Sequence, residues 1–546
     1  MFHLSSIKQN WKYLLLLFIT FLLAEIIVNP IGNFPLNDDW VYAQATRLFH
    51  EKGIPDADCW GRASMIMHIM FGNFFTGIFG YSFTVLRFST LFLSFIGIIF
   101  VFLFLRNNFL NNSFHSFLIT LLFLFNPLYL NLSNSFMTDV PFICTVVLAL
   151  FFYYAYQQRS RSIYLVLSIL FFTWCVLIRQ LGICFVFGIC LTEVFLNKKG
   201  IFKMALLFFI PVCGLFVFEI WYYRNSSMQT LSSYSFLFFK NSNSSDITSI
   251  TGIGINFFKR WVHYISFTGF VLFPLLLPYL LSFIREKKYL IQKKQIILSV
   301  ILLLPVIWSL QKFPIGNYLY NCGVGPETSY DTFFLHQNTD HAESNFIFLT
   351  IKALSLLGSF SLLLILADHL FQANSFIKNP ASINQTLITL FISLFFYYLS
   401  LARSEPIFDR YILLFSLFII PAVLAKSQSV LSKPVLFYCF LSLLILFSVF
   451  TTKDYLNSNR TRWNVTNFLK KQYSATDPEI NAGYEHEGNL VLDSLYWYDK
   501  WKNIPQNKYL ISFGNVDNYE KLTFFTYKRY IPFKKDTIFV LKLFGK

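Results

Sequence analysis

Residues 12–53 read KYLLLLFITFLLAEIIVNPIGNFPLNDDWVYAQATRLFHEKG. The apolar run 12–28 is long enough to cross a hydrocarbon core of roughly 30 Å as a helix. Behind it, past a Pro- and Gly-containing turn, stand two adjacent carboxylates, Asp38 and Asp39. The rest of the chain repeats the first half of this pattern. Of its 546 residues, 55% are hydrophobic, 13% are charged and 69 are Phe, and the mean hydropathy is +0.53. Soluble proteins need a more polar surface, so the composition predicts a polytopic α-helical membrane protein.

Charge sets the expected threading. The formal net charge of +16 suits cytoplasmic loops that hold a membrane topology better than it suits nucleic acid, for which no motif is present. About thirteen spans are expected, near 12–29, 82–105, 114–132, 138–156, 161–178, 180–196, 203–223, 261–284, 295–310, 346–370, 383–401, 409–425 and 432–451. Spans five and six, separated near Arg179, also suit one bent element. With the N-terminus cytoplasmic, the inner loops carry Arg106, Arg159, Arg161, Lys198, Lys199, Lys203, Arg285, Lys287, Lys288, Lys293, Lys294, Lys378, Lys426 and Lys433, and Glu286 is their main acid. That is the positive-inside pattern. The odd span count then places the C-terminal tail outside.

This topology brings one set of polar residues to the outer side. Asp38 and Asp39 open the first outer loop. Asp139 in SFMTDVPF (135–142) begins the fourth span, and Arg179 in LIRQLG (177–182) sits at an outer turn. Arg403, Glu405, Asp409 and Arg410 cluster in LARSEPIFDRY (401–411). In the first outer loop, about 30–81, Val41, Ala45, Leu48 and Phe49 recur at helical spacing before Gly53. Residues 64–79, SMIMHIMFGNFFTGIF, suit a helix lying in the interface. Loops 224–258 and 311–345 are polar and Gly-containing.

Two domains are expected: a transmembrane unit at 1–451 and a small extracytoplasmic unit at 452–546, read as α/β with α+β the open alternative. In the latter NLVLDSL, KYLISFG and DTIFVLKLF read as strands and TRWNVTNFLKKQY reads as helix. Six of the eight cysteines lie in apolar runs. Cys59 and Cys322 fall in outer loops, where a disulfide can form, and none has metal-site spacing. The N-terminal run lacks an A-x-A-like site and reads as an uncleaved first helix.

Each polar residue also has an ordinary structural use. Asn37 or Asp38 suits a helix N-cap, and Asp39 suits the positive end of the helix dipole, which favours its ionised form. Asp139 lies in a Thr-Asp-Val-Pro helix start, Arg179 can snorkel, and Arg403 and Arg410 can pair with Glu405 and Asp409. Taken together they suggest chemistry. Arginine forks match phosphate oxygens, and a nearby carboxylate can deprotonate a hydroxyl. Those are the needs of sugar transfer from a polyprenyl phosphate.

The stretch 34–53, FGYSFTVLRFST (79–90), SFMTDVPF, LIRQLG and FDRYILLFSLFIIP (408–421) together resemble the GT-C glycosyltransferases. The nearest branch is the bacterial proteins similar to protein O-mannosyltransferases and to the lipid A aminoarabinose transferase. The resemblance covers roughly 1–450. It implies interfacial helices in the first outer loop, a bacterial inner-membrane location and an extracytoplasmic active site. The reaction it implies is an inverting transfer from a polyprenyl-phosphate-linked sugar to a lipid, glycan or protein acceptor. It makes Asp38 the general base, Asp39 a catalytic neighbour standing where many members have Glu, and Asp139 an acid that orients the acceptor or assists a metal. Arg179, Arg410 and Arg403 become donor-phosphate ligands, and His68 a minor candidate without a firm match. A divalent metal is compatible with this reading, with its ligands unassigned. The rival reading is a transporter or flippase of lipid-linked saccharides, for which Glu193, Glu219 and Asp368 would be the intramembrane groups.

Overall fold

The computed structural model describes residues 4–53, 65–196, 201–225, 249–310, 319, 346–378, 385–402, 408–427, 435–483, 485–486, 508–531 and 533–545. Cys59, Cys322, Arg403, Glu405 and most of loops 224–258 and 311–345 lie outside these residues.

The described chain is helical from α1 (Leu4–Val28) onward. The first loop holds α2 (Asp39–Lys52) and α3 (Ile66–Phe79). Then come α4 (Phe83–Asn108), α5 (Ser113–Leu124), α6 (Pro127–Ser133), α7 (Asp139–Arg159), α8 (Ser162–Ile178), α9 (Ile183–Leu196) and α10 (Ile201–Asn225). They are followed by α11 (Ile250–Val271), α12 (Phe273–Arg285), α13 (Lys293–Ser309), α14 (Phe346–Lys378), α15 (Gln385–Leu401), α16 (Ile412–Ser427) and α17 (Val435–Tyr473).

Among the described residues six helices are long and apolar enough to cross a bilayer, or up to eight if each of two bent pairs is one span. The sequence suggests thirteen because a hydropathy window runs straight through helix breaks and gives short apolar helices the same weight as long ones. Two expected spans are in fact bent pairs, α5 with α6 at 70° and α11 with α12 at 87°. The first bend has a local cause: Asn126 accepts a hydrogen bond from the Leu128 amide and Pro127 opens α6, the usual chemistry of a fresh helix start. α3, α8, α15 and the stretch 180–195 are apolar but shorter.

The first loop follows its sequence. Gly53 ends α2 with a left-handed φ of 72°, its N–H donating to the Phe49 carbonyl. α3 turns Met70, Phe74 and Ile78 outward and buries His68, Ile69, Gly72 and Thr76, as a helix half in contact with lipid should. It packs against α2, α4 and α8.

α17 runs unbroken across residue 452, so its apolar first half and polar second half form one rod. The tail packs on that second half. Its strands β1 (Ile480–Asn481), β2 (Tyr509–Ser512), β3 (Tyr519–Tyr530) and β4 (Phe533–Leu543) form a sheet in the order β1-β2-β4-β3. Only β1 and β2 are parallel; β4 pairs antiparallel with both neighbours. The described tail is therefore α+β rather than α/β, because consecutive antiparallel strands need only a tight turn whereas parallel ones need a crossover. The expected segments KYLISFG and DTIFVLKLF supply β2 and β4. NLVLDSL lies outside the described residues, and β3 escaped the sequence reading. Val465, Leu469, Ile480, Ile511, Ile538 and Val540 form the tail's core.

Candidate active site

Two ends of the bundle can be told apart by contacts. At the start of α1, Ser113 Oγ donates to Asn10 and Arg106 donates to Ser113. The groups of the candidate site gather at the other end, beyond α1 and at the starts of α7 and α16.

Asp38 sits at the N-cap position of α2, yet its side chain makes no capping bond. It pairs with Arg410, Oδ2 to Nη1 at 3.2 Å. Arg410 is in the 3-10 turn Asp409–Tyr411 that leads into α16. Its neighbour Asp409 is buried and accepts a hydrogen bond from the Leu319 amide at 2.7 Å.

Asp39 points the opposite way. It is 1% exposed, and its two carboxylate oxygens accept from the backbone amides of Leu36 (2.6 Å) and Phe136 (3.3 Å). Burial pushes its carboxyl up to about 8, against the Arg87 charge and these two donors. Desolvation thus opposes the ionised form that the start of a helix favours.

A second ion pair joins Asp139 Oδ2 to Arg179 Nη2 at 2.9 Å. Thr138, in the N-cap position of α7, makes no capping bond; its hydroxyl accepts from Arg179 Nε (2.9 Å) and Nη2 (2.7 Å). Arg179 itself breaks the chain between α8 and α9 in extended conformation (φ −146°, ψ 126°). The tight return depends on Gly182, where a Cβ would stand 2.7 Å from Cys175 Sγ.

Aromatic side chains connect the pairs. The Tyr411 ring lies 5.5 Å from the Arg179 guanidinium and 5.6 Å from that of Arg410. Tyr42, one turn into α2, feels the charges of Arg410, Asp38, Arg179 and Asp139, and burial pushes its hydroxyl up to about 12. His68 packs edge-on to Tyr42 and stacks on Phe136 at 4.0 Å. Its Nε2 lies 3.2 Å from the Phe136 carbonyl. Gly72 permits that stacking, because a Cβ there would collide with the Phe136 ring.

The structure thus brings Asp38, Asp139, Arg179, Arg410 and His68 into one neighbourhood and turns Asp39 inward. Sequence reasoning missed Tyr42 and Tyr411, whose only signal was an aromatic beside a charged motif. It also missed Arg87. That residue is fully buried and donates to the carbonyls of Pro30, Gly32 and Phe34, securing the strand of loop that ends in the acidic pair. A buried arginine within an apolar helix was its signal.

Among the described residues no group of three or more His, Cys, Asp or Glu is placed to hold a metal. Asp38 and Asp139 each face a guanidinium, so the donor set here does not fit a cation. Two of the three acids of the transporter reading are engaged elsewhere. Glu193 accepts from Tyr153, Gln157 and Gln385, and Asp368 pairs with Lys426 at 2.7 Å.

Residues 64–223 match the profile of the family described as dolichyl-phosphate-mannose-protein mannosyltransferase. No curated protein matches the chain. Among solved structures, ArnT from Cupriavidus metallidurans bound to undecaprenyl phosphate is 10% identical, with 99% of each chain covered and a TM-score of 0.43. The archaeal oligosaccharyltransferase AglB from Archaeoglobus fulgidus, in complex with an inhibitory peptide and a dolichol-phosphate, is 15% identical, with a TM-score of 0.32. That match covers 85% of this chain and 58% of AglB. The family match takes in His68, Asp139 and Arg179, and over those residues, under a third of the chain, the protein resembles the mannosyltransferases of that family.

Proposed function

We propose that this protein is an inverting glycosyltransferase that moves a sugar from a polyprenyl-phosphate donor to a hydroxyl acceptor at the extracytoplasmic face. The observation that carries the reading is the pair of Asp–Arg contacts, Asp38–Arg410 and Asp139–Arg179, with the Tyr411 ring against both arginines. Each arginine holds a carboxylate that a phosphate oxygen can replace, since guanidinium forks suit both anions. When the donor phosphate takes Arg410, Asp38 is released toward the acceptor. The acceptor oxygen then bonds to the anomeric carbon, its proton passes to Asp38, and the carbon–oxygen bond to phosphate breaks. Polyprenyl phosphate leaves with its charge matched by Arg410 and Arg179. One in-line displacement inverts the anomeric centre.

Asp139, tied to Arg179, orients that guanidinium and the acceptor. Asp39, held by two backbone amides, shapes the loop that carries Asp38. Arg403 remains a candidate third phosphate ligand. A thirteen-span topology, with a transmembrane unit at 1–451 and a tail unit at 452–546, follows if the two bent pairs and the shorter helices α8, α9, α13, α15 and α16 each cross the bilayer beside the six long ones. The basic loops favour a cytoplasmic N-terminus in a bacterial inner membrane.

Two experiments test this reading. Purified protein in lipid nanodiscs, offered a panel of polyprenyl-phosphate sugars and hydroxyl acceptors, should release polyprenyl phosphate and form an inverted product; no release from any donor would overturn the activity. Gln472→Cys, in the exposed end of α17 and with Cys59 and Cys322 removed, should be labelled from outside intact cells. Labelling only after permeabilisation would move the site to the cytoplasm.

A further inference from the structure

Glu485 reaches the acidic loop from near the other terminus of the chain. Its Oε1 accepts from the Asn37 amide at 2.9 Å, and its Oε2 pairs with Arg462 Nη2 at 2.7 Å. Glu485 and Arg462 are 6% and 3% exposed. Arg462 is steadied in turn by Asn459 Oδ1 at 2.7 Å, one helical turn earlier on α17.

Two backbone features show how closely this contact is built. Asn37 is left-handed, with φ 52°, a conformation that Asn tolerates better than most residues but that still needs outside support. Gly483 has φ 102°, and a Cβ there would collide with the Arg462 guanidinium. Glycine at 483 therefore lets the chain pass close enough to Arg462 for Glu485 to turn back onto Asn37. Nearby, Arg460 donates to the carbonyls of Asn29 and Ile31, so α17 grips the same stretch of loop at two places.

We propose that Glu485 is a positioning residue of the transfer site: its bond to the Asn37 amide sets the backbone turn that aims Asp38 at Arg410. The proposal rests on the reading of Asp38 as the base. Asn37 and Asp38 are consecutive, so rotating the Asn37 peptide swings the carboxylate away from its partner. A misplacement of about 1 Å costs reacting groups roughly a hundredfold in rate. The tail would thereby complete the active site without touching substrate.

The test uses the full-length protein in nanodiscs, with Glu485→Ala, Glu485→Gln and the β3 surface control Glu520→Gln. Amide exchange is read over residues 34–42, polyprenyl phosphate supplies the binding probe, and a polyprenyl-phosphate sugar supplies the turnover probe. Glu485→Ala should speed exchange at the Asn37 amide and lower kcat, each by roughly tenfold or more. Affinity for polyprenyl phosphate should stay within about twofold, because Arg410 and Arg179 remain. Glu485→Gln keeps an oxygen that can accept from Asn37, so it should fall between Ala and wild type in both readouts; it decides the matter alone should the Ala variant not fold. The control should match wild type. Unchanged exchange in the Glu485 variants would overturn the contact, and altered exchange with wild-type kcat would overturn the positioning role. A wild-type protein without transferase activity would remove the proposed function and this role with it, while the exchange data would still report on the contact itself.

Discussion

Glu193 and Asp38 are both carboxylates near helix ends, and their surroundings differ in kind. Glu193 is held by neutral donors: the Tyr153 hydroxyl and the side-chain amides of Gln157 (2.7 Å) and Gln385 (3.0 Å). Each of those bonds would be lost outright if a ligand displaced the carboxylate, and a buried amide left unpaired is costly. Asp38 instead faces a guanidinium at 3.2 Å, and a phosphate can take its place without leaving Arg410 unpaired. The first arrangement tightens a helix bundle. The second suits the exchange of partners that the proposed transfer requires.

The largest effect is expected at Asp38. Asp38→Asn preserves side-chain size and should fold, yet transfer should fall by about 10²–10⁴-fold, the usual contribution of a general base. Binding of polyprenyl phosphate to this variant should be unchanged or tighter, since Arg410 loses a competing anion. Near-normal turnover would end the base assignment. Next in size are Arg410→Ala and Arg179→Ala, each expected to weaken polyprenyl phosphate binding by about 1.5–3 kcal/mol, measured by titration of the purified variants. Lys in either place should recover part of the loss, because it keeps the charge without the fork. Equal affinity in all four variants would make the arginines purely structural.

Asp39 sharpens the contrast through pH. Its folded carboxyl is raised from 3.8 to about 8, so the folded state binds the proton more tightly than the unfolded state does. The stabilisation is complete below the unfolded value and is lost as pH rises toward about 8. Melting temperatures from pH 5 to 9 should therefore fall more steeply in wild type than in Asp39→Asn, whose transfer should drop far less than that of Asp38→Asn. Parallel melting curves would show that Asp39 stays ionised. The smallest effect belongs to Glu193→Gln. Its amide oxygen still accepts hydrogen bonds, so transfer should remain within about twofold and stability should change by about 1 kcal/mol. A large loss of transfer there would join the two ends of the molecule functionally.

Much of this was legible in the residues. Hydropathy is a local property imposed by lipid, so the helical membrane class could be read segment by segment. The same sequence put Asp38, Asp139, Arg179 and Arg410 at the ends of apolar segments, because charges are costly anywhere deeper. α2 and its Gly53 stop followed from periodicity. The break at Asn126 carried a local signal in Asn126–Pro127 that hydropathy averaging passes over, whereas Leu272 lies within an unbroken apolar run.

The sequence by itself therefore determined the solvent of each segment and the set of groups available for chemistry. Tertiary structure alone decided which groups meet. Asp38 and Arg410 are 372 residues apart and Asn37 and Glu485 are 448 apart, so nothing local encodes either contact. The adjacent acids in NDDW took opposite fates for the same reason. The left-handed Asn37 and the packing of Phe136 turn Asp39 into the protein and leave Asp38 facing a cation, and a desolvation cost set by neighbouring helices cannot be read from two identical residues in a row.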